Sequence, residues 1–462
     1  MSAESKNGSG VSLRSLGGAA TVTGSKHLLD YPGGRLLVDC GLFQGLKYLR
    51  ERNWAPLAID PKSIGAIVLT HAHLDHSGYL PRIVRAGFSG PIYCTSATAD
   101  LCEILLKDSA HLAEKDADFA NRKGFSKHKP AAPLYTVDDA ERALALLKPI
   151  AFGAETPLPG GAKVKFRRAG HILGAANAEI AAGGQTIAFS GDIGRYDDPF
   201  MFDPAPIPAA DYIVVESTYG DRTHPAVDPL EELGALVERT VSRGGTVVIP
   251  AFAVGRAQRL LYDLWRLKRA GRLATTPVFL DSPMAADATD LLCKHMDDHK
   301  FERDACMQSC AVATYVNDWR ESAELSQNPL PKVIISASGM ATGGRVIRHI
   351  ASFGPEPRNM ILFSGHQAAG TRGAKLLGGD MDTRIYGEWV RVRAEIAQLP
   401  ALSGHADAGE IIRWLKGFKS PPRRAFVVHG EPPASEALRV RIKKELSWDC
   451  AVVDPERSYE LA

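Results

Sequence analysis

Long hydrophobic runs are missing from this sequence. Nothing in it approaches the ~20 consecutive apolar residues that a membrane-spanning helix requires, which excludes a helical membrane protein. Residues 1–10 are small and polar and lack the apolar stretch of a secretory signal, so a frayed tail is expected there. An excess of one charge is missing too: 55 Lys and Arg face 53 Asp and Glu, a formal net charge of +2. Bulk electrostatics therefore neither demands nor forbids a nucleic-acid partner, and any such binding has to come from a local basic patch. Cysteine is sparse and scattered, at Cys40, Cys94, Cys102, Cys293, Cys306, Cys310 and Cys450. An odd number without Cys-x-x-Cys spacing argues against a disulfide framework and against a zinc knuckle. Cys306 and Cys310, four apart, suit one helix face. Free thiols in a reducing cytoplasm are the expectation. Solenoid-length repeats and low-complexity tracts are also absent.

The chain does have ordinary globular material. With 462 residues, of which 45% are apolar, it is long enough for two or three domains or for one large domain carrying an insertion. In the first two hundred residues the short apolar runs 35–39, 66–70 and 186–190 read as strands that end on polar loops, and 96–114 and 137–147 have helical periodicity. From about Asp211 the rhythm becomes strand, loop, long helix. Residues 245–250 lead into an amphipathic stretch at 256–269, and 332–336 lead through a glycine-rich loop into 345–352. Repeated β-loop-α units predict an open parallel sheet. After Trp389 short strands return. Chemistry-bearing residues lie on both sides of the β-loop-α block, so that block reads as an insertion into one catalytic domain.

The sharpest chemical signal is Thr70-His71-Ala72-His73-Leu74-Asp75-His76, directly after a buried-looking strand. Three imidazoles and a carboxylate this close would repel as cations and need a common partner, and borderline metals such as zinc prefer this His/Asp mixture. Weaker signals of the same kind follow: His171 in Gly170-His171-Ile-Leu-Gly174, Asp192 in Ser190-Gly191-Asp192, and His429 in Val428-His429-Gly-Glu431. Each taken alone suits a hydrogen-bonded structural residue. Together, each at a strand end beside glycine, they suggest one shared rim, and they are too many for one tetrahedral ion.

The set Asp39, His71-Ala-His73-Leu-Asp75-His76, His171 and Asp192 resembles the metallo-β-lactamase superfamily. Asp39, in Leu37-Val-Asp39-Cys-Gly41, looks like its first motif, a buried Asp that orients the ligands from behind. Three further pieces resemble the β-CASP nucleic-acid-processing group: Val215-Glu216-Ser-Thr-Tyr-Gly220, Ser403-Gly-His405-Ala-Asp407 and Val428-His429-Gly-Glu431. The likeness runs from about Leu13 to the end, and is strongest to compact bacterial and archaeal relatives of the subunit that cleaves messenger RNA at its 3′ end. It implies an α/β fold, a metallo-β-lactamase αβ/βα sandwich in residues 1–210 and 396–462, with an inserted parallel-sheet β-CASP domain at 211–395 and the substrate cleft between the two.

The resemblance also implies a chemistry. Two zinc ions per chain would be held by His71, His73 and His171 on one side and Asp75, His76 and His429 on the other, with Asp192 bridging. A hydroxide shared by the metals would hydrolyse single-stranded RNA to 5′-phosphate and 3′-hydroxyl ends. His405 would protonate the leaving oxygen while Glu216 holds its ring. A cytoplasmic enzyme is expected, and a homodimer at the level of the family. His at position 429 goes with RNA enzymes of the group, whereas DNA enzymes tend to carry an apolar residue there. Other readings are a different hydrolase on the same metal core (a DNA nuclease, thioesterase or lactonase) and a non-catalytic RNA-binding scaffold.

The glycine-rich turn from Ser338 and Gly339 to Arg345 precedes a helix and reads equally as an anion seat or as a tight strand-to-helix turn. It lacks the Gly-Lys-Ser/Thr ending of a Walker A loop. Ser338, Gly339, Arg345, Arg256 and Arg372 are the candidate contacts to substrate phosphate, with Lys375 nearby. His366 carries no assignment.

Overall fold

Alternation of apolar side chains decides how the strands of this protein stack. In Tyr212–Val215, Ile213 and Val215 face one core while Tyr212 and Val214 face another. Arg424–Val427 repeats the pattern with Ala425 and Val427 against Phe426. The computed structural model describes residues 10–124, 126, 128–365, 367–368 and 370–462, so His366 and residues 1–9 of the polar start lie outside the described residues.

Two compact units result, residues 1–223 with 405–462, and residues 224–404. In the first unit, one seven-stranded sheet has the order Ser458–Leu461, Val11–Gly17, Lys26–Tyr31, Gly34–Val38, Ala66–Val68, Ile92–Cys94, Leu147–Pro149. The other runs Cys450–Val452, Arg424–Val427, Tyr212–Val215, Gln185–Phe189, Ala176–Ala182, Lys163–Arg168, Glu155–Pro157. Leu36, Val38 and Val68 of the first sheet share a buried core with Phe166, Ile187, Val214 and Phe426 of the second. Outside the second sheet, Ile411 and Trp414 of helix Ala408–Leu415 and Leu438 and Ile442 of helix Pro432–Leu446 cover Ile213, Val215 and Val427. On the other side, helices Leu80–Arg85, Ser96–Lys123 and Val137–Leu144 pack on one another and on strand Leu147–Pro149. This is the expected αβ/βα sandwich. Helix Ser96–Lys123 is longer than its apolar period indicated: Thr95 caps its start by accepting from the Thr98 N–H, and it stops at Gly124, which takes the left-handed conformation (φ 66°).

The second unit is built on a six-stranded, wholly parallel sheet in the order Thr314–Tyr315, Val278–Asp281, Val333–Ser336, Val247–Pro250, Met360–Phe363, Glu395–Gln398. Both its faces are buried, which is why its strands read as continuous apolar runs: Val247, Ile249, Val333, Ile335, Met360 and Leu362 face one core, and Val248, Ile334, Ile361 and Phe363 the other. The joins fall later than the sequence suggested at both ends. Tyr212–Val215 hydrogen-bonds to Gln185–Phe189 and to Arg424–Val427, so it is a central strand of the first unit, and Glu395–Gln398 pairs with Met360–Phe363 in the second.

One polar network fixes the interior of the second unit. The fully buried Asp281 accepts from Ser322 Oγ at 2.5 Å, His349 Nε2 at 2.6 Å and Arg345 Nη1 at 2.7 Å. Burial pushes the Asp281 carboxyl up, but these three bonds outweigh it and leave the pKa lowered. A depressed folded-state pKa adds stability above the unfolded carboxylate value and loses it as pH falls through the folded one. Asp281→Ala leaves His349 and Arg345 facing an uncompensated site, and a loss of about 3–5 kcal/mol is expected. Urea denaturation at neutral pH measures it, and an unchanged midpoint would show the network to be inert.

Candidate metal centre

Every motif residue of the first unit except His405 follows the C-terminal end of a strand, where the chain must turn and backbone groups open outward. Asp39 follows Gly34–Val38, the His71–His76 loop follows Ala66–Val68, His171 follows Lys163–Arg168, Asp192 follows Gln185–Phe189, Glu216 follows Tyr212–Val215 and His429 follows Arg424–Val427. Two glycines permit the crowding. A Cβ on Gly41 would lie 1.6 Å from the Asp75 carbonyl oxygen, and one on Gly191 (φ 54°) 2.8 Å from Thr70 Cβ. Asp39 and His429 themselves take left-handed backbone (φ 60° and 49°), a conformation uncommon outside glycine.

The turns bring two sets of donors to either side of Asp192. His71, His73, His171 and Asp192 place one ligand atom each within 4.8 Å of one another, and so do Asp75, His76 and His429. One Asp192 oxygen, Oδ2, lies 3.4 Å from His71 Nε2 and 3.7 Å from His171 Nε2. The other, Oδ1, lies 3.2 Å from His76 Nε2 and 3.4 Å from His429 Nδ1. Burial would raise the Asp192 pKa, yet the imidazoles of His429, His76 and His71 hold it well below the usual carboxylate range. Burial, joined by the neighbouring His76, pushes the His71 pKa well down, so His71 is a neutral imidazole, the form that binds metal.

The donors fit a cation. Asp39 accepts from the Thr70 N–H at 2.8 Å and faces His76 Nδ1 at 2.8 Å, which assigns the proton of His76 to Nδ1 and turns the Nε2 lone pair inward. Thr218 Oγ1 donates to Glu216 at 2.5 Å and lies 3.2 Å from His429 Nδ1, linking the two side chains. The Nε2 atoms of His76 and His429 meet at 3.2 Å, a contact that a proton or a cation between them stabilises. Burial disfavours a charged His76, but Asp192 and Asp39 outweigh it and raise its pKa well above the ordinary value, so the same field that attracts a proton there attracts a metal. His71 Nε2 is buried and forms no hydrogen bond among the described residues, while lying within 3.4 Å of Asp192.

Known proteins share this plan. Residues 24–235 match the model of the metallo-beta-lactamase superfamily, residues 257–376 that of the Beta-Casp domain, and residues 389–453 that of the Zn-dependent metallo-hydrolase RNA specificity domain. Ribonuclease TTHA0252 of Thermus thermophilus is 37% identical over 430 residues, covering 91% of this chain and 94% of its own length. The chain belongs to the β-CASP branch of the metallo-β-lactamase superfamily. Transcription termination factor FttA of Methanosarcina mazei is 31% identical, covering 94% of this chain and 69% of its own length; that of Methanocaldococcus jannaschii is 32% identical, covering 90% and 66%. This chain thus spans about two thirds of the length of those archaeal relatives. A solved protein of unknown function from Enterococcus faecalis V583 shares the fold, with a TM-score of 0.54 at 13% identity over 98% of this chain and 100% of that one.

This β-CASP protein is a metal-dependent hydrolase, and beside its donor cluster stands a second pair of groups. His405 Nδ1 faces Glu216 Oε2 at 3.4 Å. Two backbone bonds fix the pair: the Ala406 N–H donates to the Ile193 carbonyl at 2.8 Å, and the Ile193 N–H to Glu216 Oε1 at 2.5 Å. Asp407 and Glu410 form a capping box that starts helix Ala408–Leu415 immediately beyond. Burial disfavours a charged His405, but Glu216, helped by Asp192 and Asp75, outweighs it and raises the pKa above the ordinary histidine value. The side chain of His405 is 21% exposed whereas Glu216 is fully buried, the disposition of a group that reaches substrate and one that holds it.

The candidate phosphate contacts fare differently. Arg345 donates to Asp281, to the Val316 carbonyl at 2.8 Å and to the Asn317 carbonyl at 2.6 Å, and Arg372 donates to Thr383 Oγ1 at 2.9 Å, to the Ala341 carbonyl and to the Arg384 carbonyl. Both guanidinium groups are engaged by the fold, Arg345 by Asp281 and two backbone carbonyls and Arg372 by Thr383 and two backbone carbonyls. The Ser338 hydroxyl accepts from the Thr342 and Gly343 N–H groups, occupying the backbone donors of the supposed anion seat, and a Cβ on Gly339 would meet Phe252 at 2.9 Å. The loop is a tight strand-to-helix turn. Arg256 opens helix Arg256–Arg269, and Lys375 is exposed on helix Arg372–Leu377.

Sequence reasoning missed Thr218, whose hydroxyl links Glu216 to His429, and Lys26. Lys26 is buried and donates to the Gly24 carbonyl at 3.0 Å and the Gly41 carbonyl at 2.5 Å, tying down the loop that carries Asp39; burial lowers its pKa to about 8. A lysine at the head of an apolar strand, Lys26–Tyr31, was the available signal.

Proposed function

We propose that this chain is a ribonuclease that hydrolyses phosphodiester bonds of single-stranded RNA with two zinc ions per chain, leaving 5′-phosphate and 3′-hydroxyl ends. The observation that carries the reading is the placing of two histidine-rich donor sets on opposite oxygens of one carboxylate, Asp192. His71, His73 and His171 would hold one ion and Asp75, His76 and His429 the other, with Asp192 within reach of both sets. Bound there, a pair of divalent ions supplies Lewis acidity toward a phosphodiester and makes water more acidic. Asp39 keeps His76 in the tautomer that presents Nε2. His405 delivers a proton from its outer nitrogen to the leaving 3′-oxygen, and Glu216 orients the ring and stabilises its charged form. The match of residues 389–453 to an RNA specificity domain and the likeness to a bacterial ribonuclease support RNA as the substrate.

No helix among the described residues is long and apolar enough to cross a membrane. RNA carrying separate 5′ and 3′ labels, incubated with and without chelator, tests the reaction: cleavage to 5′-phosphate ends that stops with chelator supports it, and chelator-resistant cleavage overturns it. Discrimination against DNA has to come from the 2′-hydroxyl, since metals and phosphates are common to both substrates. One hydrogen bond to that group, about 1.5 kcal/mol, gives roughly a tenfold preference, so initial rates on matched RNA and DNA oligomers should differ by that factor or more. Equal rates would remove RNA from the proposal and leave a metal-dependent phosphodiesterase.

A further inference from the structure

Three of the seven cysteines meet inside the second unit. Cys293 lies in the last turn of helix Pro283–Lys294, and Cys306 and Cys310 lie one turn apart on helix Arg303–Cys310. Cys306 is fully buried, and the other two are half-buried. The Cys293 sulfur is 3.0 Å from that of Cys306 and 3.9 Å from that of Cys310, and all three lie within 4.8 Å of one another. A separation of 3.0 Å is closer than the roughly 3.5–4.0 Å of ordinary nonbonded contact and far beyond the ~2.05 Å of a disulfide. Apolar packing does not draw sulfurs inside contact distance, so the cluster calls for an attraction between them.

A metal ion supplies it. A cation about 2.3 Å from each sulfur spans sulfur–sulfur edges of about 3.8 to 4.0 Å in tetrahedral or trigonal geometry. One edge has that length already, and the 3.0 Å edge reaches it through a small rotation of the half-buried Cys293. Thiolates select soft cations over the oxygen-seeking ones. We propose that Cys293, Cys306 and Cys310 form a thiolate site for a soft closed-shell cation, zinc or copper(I), distinct from the His/Asp centre. The ion ties the end of helix Pro283–Lys294 to helix Arg303–Cys310 across residues 295–302, whose own fastening includes the contact of His299 Nε2 with the Leu292 carbonyl at 2.9 Å. A metal clip across a loop stabilises by restricting the unfolded chain. The partial exposure of Cys293 and Cys310 admits the ion and, for zinc, a water as fourth ligand. This site stands independently of the ribonuclease reading.

Cobalt(II) added to the full-length, thiol-reduced protein is the probe, because only sulfur ligands give the intense near-ultraviolet sulfur-to-cobalt charge-transfer band; histidine and aspartate do not. The expected result is a band that saturates at one cobalt per chain and disappears in Cys293→Ser and in Cys310→Ser. Both positions are half-buried, so these variants should keep their far-ultraviolet circular dichroism and the metal content of the His/Asp centre. Loss of the band on adding zinc assigns zinc, and loss only on adding copper(I) under anaerobic conditions assigns copper; either supports the site. Absence of the band in the reduced wild type, its survival in both variants, or a mass lower by two hydrogens under reducing conditions, the mark of a Cys293–Cys306 disulfide, would overturn it.

Discussion

Asp192→Asn is expected to strip the protein of bound metal and to slow RNA hydrolysis by about 10³-fold or more. Its carboxylate reaches both donor sets, with four histidine nitrogens between 3.2 and 3.7 Å away. An amide keeps the volume but removes the negative charge that would offset bound cations, and puts an N–H in place of one oxygen. Lewis-acid stabilisation is worth several kcal/mol, and about 4 kcal/mol corresponds to the expected factor. The loss should be larger than for a ligand of one set: His73→Ala removes a donor from the His71, His73, His171 group and leaves Asp75, His76 and His429 in place. Elemental analysis beside single-turnover kinetics decides. Full metal content with unimpaired rate in Asp192→Asn would end the bridging role and the dinuclear reading with it.

What was legible in the sequence, and what was not, follows from how local each signal is. The run His71 to His76 is unmistakable because three imidazoles and a carboxylate fall within six residues and their crowding has no cheap alternative. His171 and His429 needed the rim: each is an ordinary histidine until the strands carry it to within a few ångströms of His73 Nδ1 or His76 Nε2. The domain joins were misplaced because Tyr212–Val215 is as apolar as any strand of the parallel sheet, and period-two burial on both faces is common to the two units. The engagement of Arg345 was not legible because its partner, Asp281, is 64 residues away and its other two acceptors are backbone carbonyls, which no side-chain pattern announces. The thiol cluster was hidden in the same way: Cys306 and Cys310 show their helical spacing, whereas Cys293 joins them only through the packing of two helices.

His405→Ala is expected to keep both metals and near-normal RNA affinity while losing about 10²–10⁴-fold in rate, the scale of general acid–base catalysis. The geometry separates His405 from the ligands in two ways. Its nearest carboxylate contact is Glu216, at 3.4 Å, and the distance to Asp192 is 4.0 Å, longer than any other histidine contact of that residue. And Glu216 itself is tied to the Ile193 N–H and the Thr218 hydroxyl, so it positions a ring rather than an ion. Truncation at 405 then deletes a proton donor and leaves each donor set intact. The decisive measurement pairs metal content with the rate constant for bound RNA. A variant that loses zinc in proportion to its rate would make His405 a ligand and reopen the assignment of His429; one that keeps zinc and keeps its rate would leave the leaving oxygen to be protonated from elsewhere.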